Sequence, residues 1–139
     1  MVDVNWIAII LATISAMIVG TIWYGPLFGK MWMQLASVKK DPNFTTGKAV
    51  VMYVGTFLTT FVTATVLAYA IALLHSSSTD SYLLDALFTG VVLSVGLICA
   101  RLWMQDSFEG RRKKLTALNA SNAVVTYVIM ALIIGLLPL

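Results

Sequence analysis

A chain can carry long stretches without a single charge only where something other than water surrounds them. Here such stretches make up most of the length. Val4 to Gly29 is uncharged, and so is Ala49 to Leu74, between Lys48 and His75. Leu83 to Trp103 has Asp85 near one end and Arg101 near the other, and Leu115 to Leu139 has no charge. A helix needs about 20 mostly apolar residues to cross about 30 Å of hydrocarbon. All four stretches are long enough. Composition agrees, with 60% apolar and 11% charged residues among 139, against about 45–50% and about 25% in an ordinary soluble domain. A soluble enzyme of this size has no interior large enough to hide so much apolar surface. Disordered and collagen-like chains are excluded by the same composition.

The expected fold is therefore an all-α membrane protein, a single domain over residues 1–139. Its four transmembrane helices cover about 4–24, 49–74, 83–103 and 115–138 and form an antiparallel bundle with short connections. The first stretch lacks the basic start of a signal peptide and outruns the usual apolar core of about 7–15 residues, so it reads as an uncleaved helix. In the third, Asp85 and Arg101 are each close enough to an end to reach the interface.

The charges set a direction. All 9 Lys and Arg residues fall in or beside two regions: Lys30, Lys39, Lys40 and Lys48, then Arg101, Arg111, Arg112, Lys113 and Lys114. The opposite side holds Asp3, Asp80 and Asp85. By the positive-inside rule both basic loops are cytoplasmic and both termini lie outside, in a multi-pass protein of the plasma membrane. The net charge of +3 is then topogenic and implies no nucleic-acid partner. The run Arg111, Arg112, Lys113 and Lys114 would also attract anionic lipid head groups, at about 1 kcal/mol per basic residue near the surface.

Small residues recur at every fourth position, which keeps them on one helical face. The first span has Ala8, Ala12, Ala16 and Gly20; the second continues from Thr56 and Thr60 into Ala64, Ala68 and Ala72. The third has Ala86, Gly90 and Ser94, and the fourth Ala123, Ala131 and Gly135 around Tyr127. Such faces let backbones approach closely where no hydrophobic drive exists between helices. Two polar stripes lie beside them: Thr56, Thr60 and Thr63 on the second span, and Asn119, Asn122 and Thr126 on the last. Thr56 and Asn122 stand at matching depths, each about 12 Å above its basic anchor. The stripes are expected either to hydrogen-bond across helices or to line a path for a small solute or ion.

A second group of candidates sits at the cytoplasmic rim. Trp23, Tyr24, Gly25, Pro26, Leu27, Phe28, Gly29 and Lys30 close the first span. The Gly25-Pro26 pair is expected to break the helix, and the aromatic residues, with Trp32, suit the interfacial belt. Met31 to Leu35 reads as a short amphipathic turn on the membrane surface. After the third span come Phe108, Glu109, Gly110 and Arg111. Glu109, the one Glu of the chain, is placed to pair with Arg111, Arg101 or free backbone N–H groups. The two rim motifs are expected on one face, where they would clamp the two hairpins together or else serve gating or ligand binding.

The run Trp23 to Lys30, then Trp32-Met33, then Phe108 to Arg111 and Asn119-Ala120 resembles the small integral membrane proteins grouped as domain of unknown function 1761. The likeness covers essentially the whole chain. It implies four spans and a bacterial-type plasma membrane, and it carries no activity, substrate or catalytic residue. Members often have an aromatic residue shortly after the Asn-Ala pair, where this chain has Ser121-Asn122.

Catalytic machinery is not visible. His75 is the one histidine and is expected outside, Glu109 inside, so the two make no dyad. Cys99 is single and within the third span, where it packs as a small apolar side chain. There is no metal-ligand spacing and no Gly-rich phosphate loop, so neither enzyme activity, a metal nor another cofactor is expected. Two function classes remain. One is a channel or transporter subunit for a small solute or ion, assembled as a homo-oligomer because four helices leave little room for a path. The other is a non-transporting membrane component that binds lipid or a partner protein through its basic rim.

Overall fold

Helix caps can be read directly from the chain. Asn5 opens α1 (Trp6–Ile22), its side-chain oxygen accepting from the Ile7 and Ala8 amides at 3.0 and 3.2 Å. Its Nδ2 also donates to Leu137 O at 3.1 Å, tying the start of the chain to its end. Thr45 caps α3 (Thr46–His75) through the Lys48 amide, and Ser81 caps α4 (Tyr82–Leu93) through that of Leu84. Each satisfies a backbone donor that the first turn of a helix leaves free. Between them lies the short α2 (Gly29–Ala36); α5 (Ala100–Phe108) and α6 (Lys113–Leu136) complete the order. The computed structural model describes residues 2–139, and no strand occurs among the described residues.

Four helical stretches are long and apolar enough to cross a membrane: Trp6–Leu27, Thr46–His75, Tyr82–Phe108 and Lys113–Leu136. The first and third are each made continuous by a wide π-helical turn, at Trp23–Leu27 and Ser94–Cys99. At the first of these the Phe28 amide donates to Trp23 O, five residues back, at 2.9 Å. Pro26, which has no N–H to give, is absorbed by that wider turn. The helix therefore runs through the Gly-Pro pair that the sequence marks as a break, and α2 begins only at Gly29. A β-carbon there would stand 2.7 Å from Tyr24 O, so the tight corner requires glycine.

In cross-section α1 packs against α3 and α6, and α4 packs against the same two helices from the other side. The core lies where the small residues meet. Ala8, Ala12, Ala64, Ala68, Ala86 and Ala131 are all buried, filled in by Ile9, Leu67, Ile71, Met130 and Ile134. The α4–α6 seam is the tightest. A β-carbon at Gly90 would come within 2.7 Å of Ala131 Cβ, and one at Gly135 within 2.8 Å of Ala86 Cβ. That approach gains dispersion contacts, which must hold helices together where lipid is as apolar as the protein.

Two carboxylates are buried. Asp85 is 5% exposed and takes His75 Nδ1 at 2.7 Å and Ser78 Oγ at 2.9 Å, closing the α3–α4 turn. The sequence places Asp85 near enough to a span end to reach the interface. Its side chain is buried there, because the turn beside it supplies the donors a buried carboxylate needs. Asp106 does the same for the α5–α6 turn, accepting from Thr116 Oγ1 at 2.7 Å. His75 is the last residue of α3.

Candidate functional site

The packing along α3 is uneven. At about 1.5 Å per residue its 30 residues span about 45 Å, well over the hydrocarbon thickness. Its buried residues, Ala64, Leu67, Ala68, Ile71 and Ala72, all lie in the second half. Where α3 opposes α1 with alanines the helices close. In its first half the facing residues are Met52, Tyr53 and Thr56, against Met17 and Gly20 of α1 and Tyr24 of the π-helical turn that follows it. Larger side chains and the long α1–α3 connection let the two helices part there.

The gap is a cavity of about 640 Å³ bounded by α1, α3 and α6. Thr56, Thr60 and Thr63 form its α3 wall, and Asn122, Thr126 and Tyr127 its α6 wall. The two polar stripes picked out by spacing thus face each other across one space. They do not bond across it. Thr56 Oγ1 donates to Met52 O at 2.8 Å and Thr63 Oγ1 to Thr59 O at 3.0 Å, each within its own helix. Asn122 Nδ2 is shielded from solvent and has no hydrogen-bond partner. Cross-helix bonding of the stripes, one of the two sequence expectations, is therefore absent from this arrangement: Thr56 and Thr63 are satisfied by backbone carbonyls of their own helix.

Asn119 leaves the stripe. Its Oδ1 accepts from Tyr24 OH at 2.8 Å, which joins the end of the first span to the last helix. Around it the rim aromatics pack on one another: Trp23 on Phe28 with ring centroids 4.7 Å apart, and Tyr24 edge-on to Trp32 at 5.5 Å. Gly25 and Pro26 are exposed at the bend, and Gly29 is buried under it. Gly20 and Gly25 have open space where a β-carbon would be, as befits the cavity wall.

The second rim motif behaves differently from the clamp expected of it. Glu109 pairs inside its own turn, with Arg111 Nε at 2.7 Å and Gln105 Nε2 at 3.0 Å. Those two hydrogen bonds, Gln105 first, hold its carboxyl below the usual carboxylate range. Phe108 is 90% exposed, and Gly110 takes a left-handed φ of +67° that turns the chain into α6. A short turn can satisfy its own acid and base, so nothing draws Glu109 toward the other hairpin. At this rim the link between hairpins is made by Tyr24 and Asn119. Sequence reading also passed over Asp106 and the pairing of His75 with Asp85. The usable signal was a carboxylate near a span end with hydroxyl or imidazole donors ten residues along the chain.

Of the basic run, Arg111 is held by Glu109, and Lys113 lies 3.7 Å over the Trp103 ring with its ammonium also on Ser107 Oγ. Arg112 and Lys114 make no ion pair among the described residues and are exposed. Cys99 Sγ is 3.6 Å from Ala120 O. No group of three His, Cys, Asp or Glu side chains that could hold a metal is found among the described residues.

A family model described as "Protein of unknown function (DUF1761)" matches residues 7–135. The chain belongs to this family. The match takes in all four spanning helices but for Trp6 and Leu136, both rim motifs and every residue of the cavity wall. No curated protein and no solved structure matches the chain.

Proposed function

We propose that this DUF1761 member is a plasma-membrane protein whose cavity is a solute site, working as a channel or transporter subunit. The helices run antiparallel, both termini face outside and both basic loops face the cytoplasm. This rests on the placement of every Lys and Arg at or beside two loops. The cavity then lies in the cytoplasmic half. One observation carries the reading: Thr56, Thr60, Thr63, Asn122 and Thr126 converge on one space of about 640 Å³, within the size range of small-molecule sites. Polar groups within a membrane span are costly unless they find a partner, in another helix or in a guest. Past Ala16, Thr63 and Met130 the space ends against the buried core. A path to the other side needs either a rearrangement or a second copy, so a homo-oligomer is part of the proposal.

Two-sided labelling of Asn122→Cys, in a Cys99→Ser background, tests this with a membrane-impermeant maleimide. Right-side-out and inverted vesicles should both label, as access alternates. Labelling from the cytoplasmic side alone would leave a dead-end pocket and contradict transport.

A second reading has its own support. Arg112 and Lys114 are exposed and unpaired among the described residues, and with Arg111 and Lys113 they would hold anionic head groups. In that reading the protein is a lipid- or partner-binding component, with neither enzymatic activity nor cofactor.

A further inference from the structure

The chemistry of the cavity wall narrows what it takes. We propose that its ligand is an uncharged amphiphile, an apolar body bearing a hydroxyl group, which arrives sideways from the bilayer between α1 and α3. The proposal rests on the reading of this cavity as the working site and specifies the class of molecule in it.

The first argument is the absence of charge. No Lys, Arg, Asp, Glu or His is among the cavity's wall residues. An ion leaving water for a low-dielectric space without a counter-charge loses far more hydration than neutral dipoles return. Methionines and tyrosines form much of the rest: Met17, Met52 and Met130 with Tyr24, Tyr53 and Tyr127. Thioethers and ring faces adapt to an apolar body of irregular shape.

The second argument is the polarity of the hydrogen-bonding groups. Thr56 and Thr63 spend their protons on backbone carbonyls of α3, so their oxygens can only accept from a guest. Across the cavity, Asn122 Nδ2 is a donor without a partner. It is shielded from solvent in this structure. A guest between these walls should therefore donate to one and accept from the other. A hydroxyl does both; a carbonyl, an ether or an alkane does not.

The third is the way in. A second hollow of about 390 Å³ lies between α1 and α3, lined by Ile14, Ile18, Ile22 and Phe57. It shares Met17, Thr21 and Tyr53 with the cavity. Apart from Thr21 and the Tyr53 hydroxyl this passage is apolar, so it suits a molecule already dissolved in lipid and repels a hydrated one.

The test uses the full-length protein in liposomes and an octanol carrying a diazirine, activated by light. Adducts are mapped by peptide mass spectrometry. They should fall on peptides holding Met17, Met52 and Tyr127, and excess octanol should suppress them about tenfold. Octanoate and octyltrimethylammonium at the same concentration should suppress them by less than about twofold, since a fold-change in occupancy reports the difference in affinity. Thr60→Phe, which fills the space, should reduce the adducts about fivefold with little change in the melting temperature. If that variant misfolds, the competition series on the unaltered protein still decides. Equal suppression by either ion would overturn the uncharged class while leaving the cavity's role intact. Adducts confined to lipid-facing residues such as Val51 and Leu58 would overturn the site itself for amphiphiles. Labelling of Asn122→Cys from both sides would then show separately whether a water path remains.

Discussion

The two halves of this bundle are built from the same helices and differ mainly in side-chain size. In one half Ala8, Ala12, Ala64, Ala68, Ala86, Gly90, Ala131 and Gly135 bring α1, α3, α4 and α6 into close contact. In the other, threonines, tyrosines and methionines hold α1 and α3 apart, and the space between is lined with hydroxyl and amide groups. Within a bilayer there is no hydrophobic penalty for an open gap that lipid can enter, so helices approach only as closely as their side chains allow. A cavity therefore needs no special device. It follows wherever a small-residue face gives way to larger ones.

Substitutions should separate the halves. The largest effect belongs to the closed seam: Gly90→Leu must displace the Tyr127 backbone and Ala131, and should cost about 3 kcal/mol or more. It is read as a fall in the melting temperature of the purified protein. An unchanged value would mean that α4 and α6 are not so close. Next comes the hydrogen bond linking the first rim motif to the last helix. Tyr24→Phe removes the donor to Asn119 and should cost about 0.6 kcal/mol, rising to about 1.7 at most. Measured by the same melt, no loss at all would place Tyr24 elsewhere.

The smallest effect is a titration. Glu109 keeps its turn through bonds from Gln105 and Arg111, and these favour the ionised form. The contribution is thus present at neutral pH and lost as pH falls through the lowered value; a rise in pH leaves it untouched. Because Glu109 is the one glutamate, carboxyl-¹³C glutamate gives a single NMR signal. Its midpoint should lie below the ordinary 4.5, and a midpoint at or above that would break the turn described for this loop.

Much of the closed half was legible in the chain, since spacing by four places small residues on one face whatever the partner. The spans, the polar stripes and their common depth were equally visible. What spacing does not show is how far apart two faces stand. Whether Thr60 and Asn122 meet or flank a void depends on the bulk of Met17, Met52 and Tyr53 between their helices, which is a property of packing. The Tyr24–Asn119 bond joins residues 95 apart in sequence, and no local pattern announces it. At Pro26 the local rule was sound and its outcome was different, because a π turn removes the demand for the N–H that proline lacks. Asp85 and Asp106 were hidden for another reason. A carboxylate near a span end has two ways to be satisfied, by water or by a folded turn, and only the turn's geometry decides between them.

The contrast between the halves is tested most directly by placing the same large side chain in each, on one helix. Thr60→Phe enters the cavity and Ala68→Phe, two turns away, enters the core. Thermal unfolding in one detergent should show Thr60→Phe within about 1 kcal/mol of the unaltered protein and Ala68→Phe destabilised by about 3 kcal/mol or more. Equal losses at both positions would mean that α3 is packed along its whole length and that the cavity does not exist.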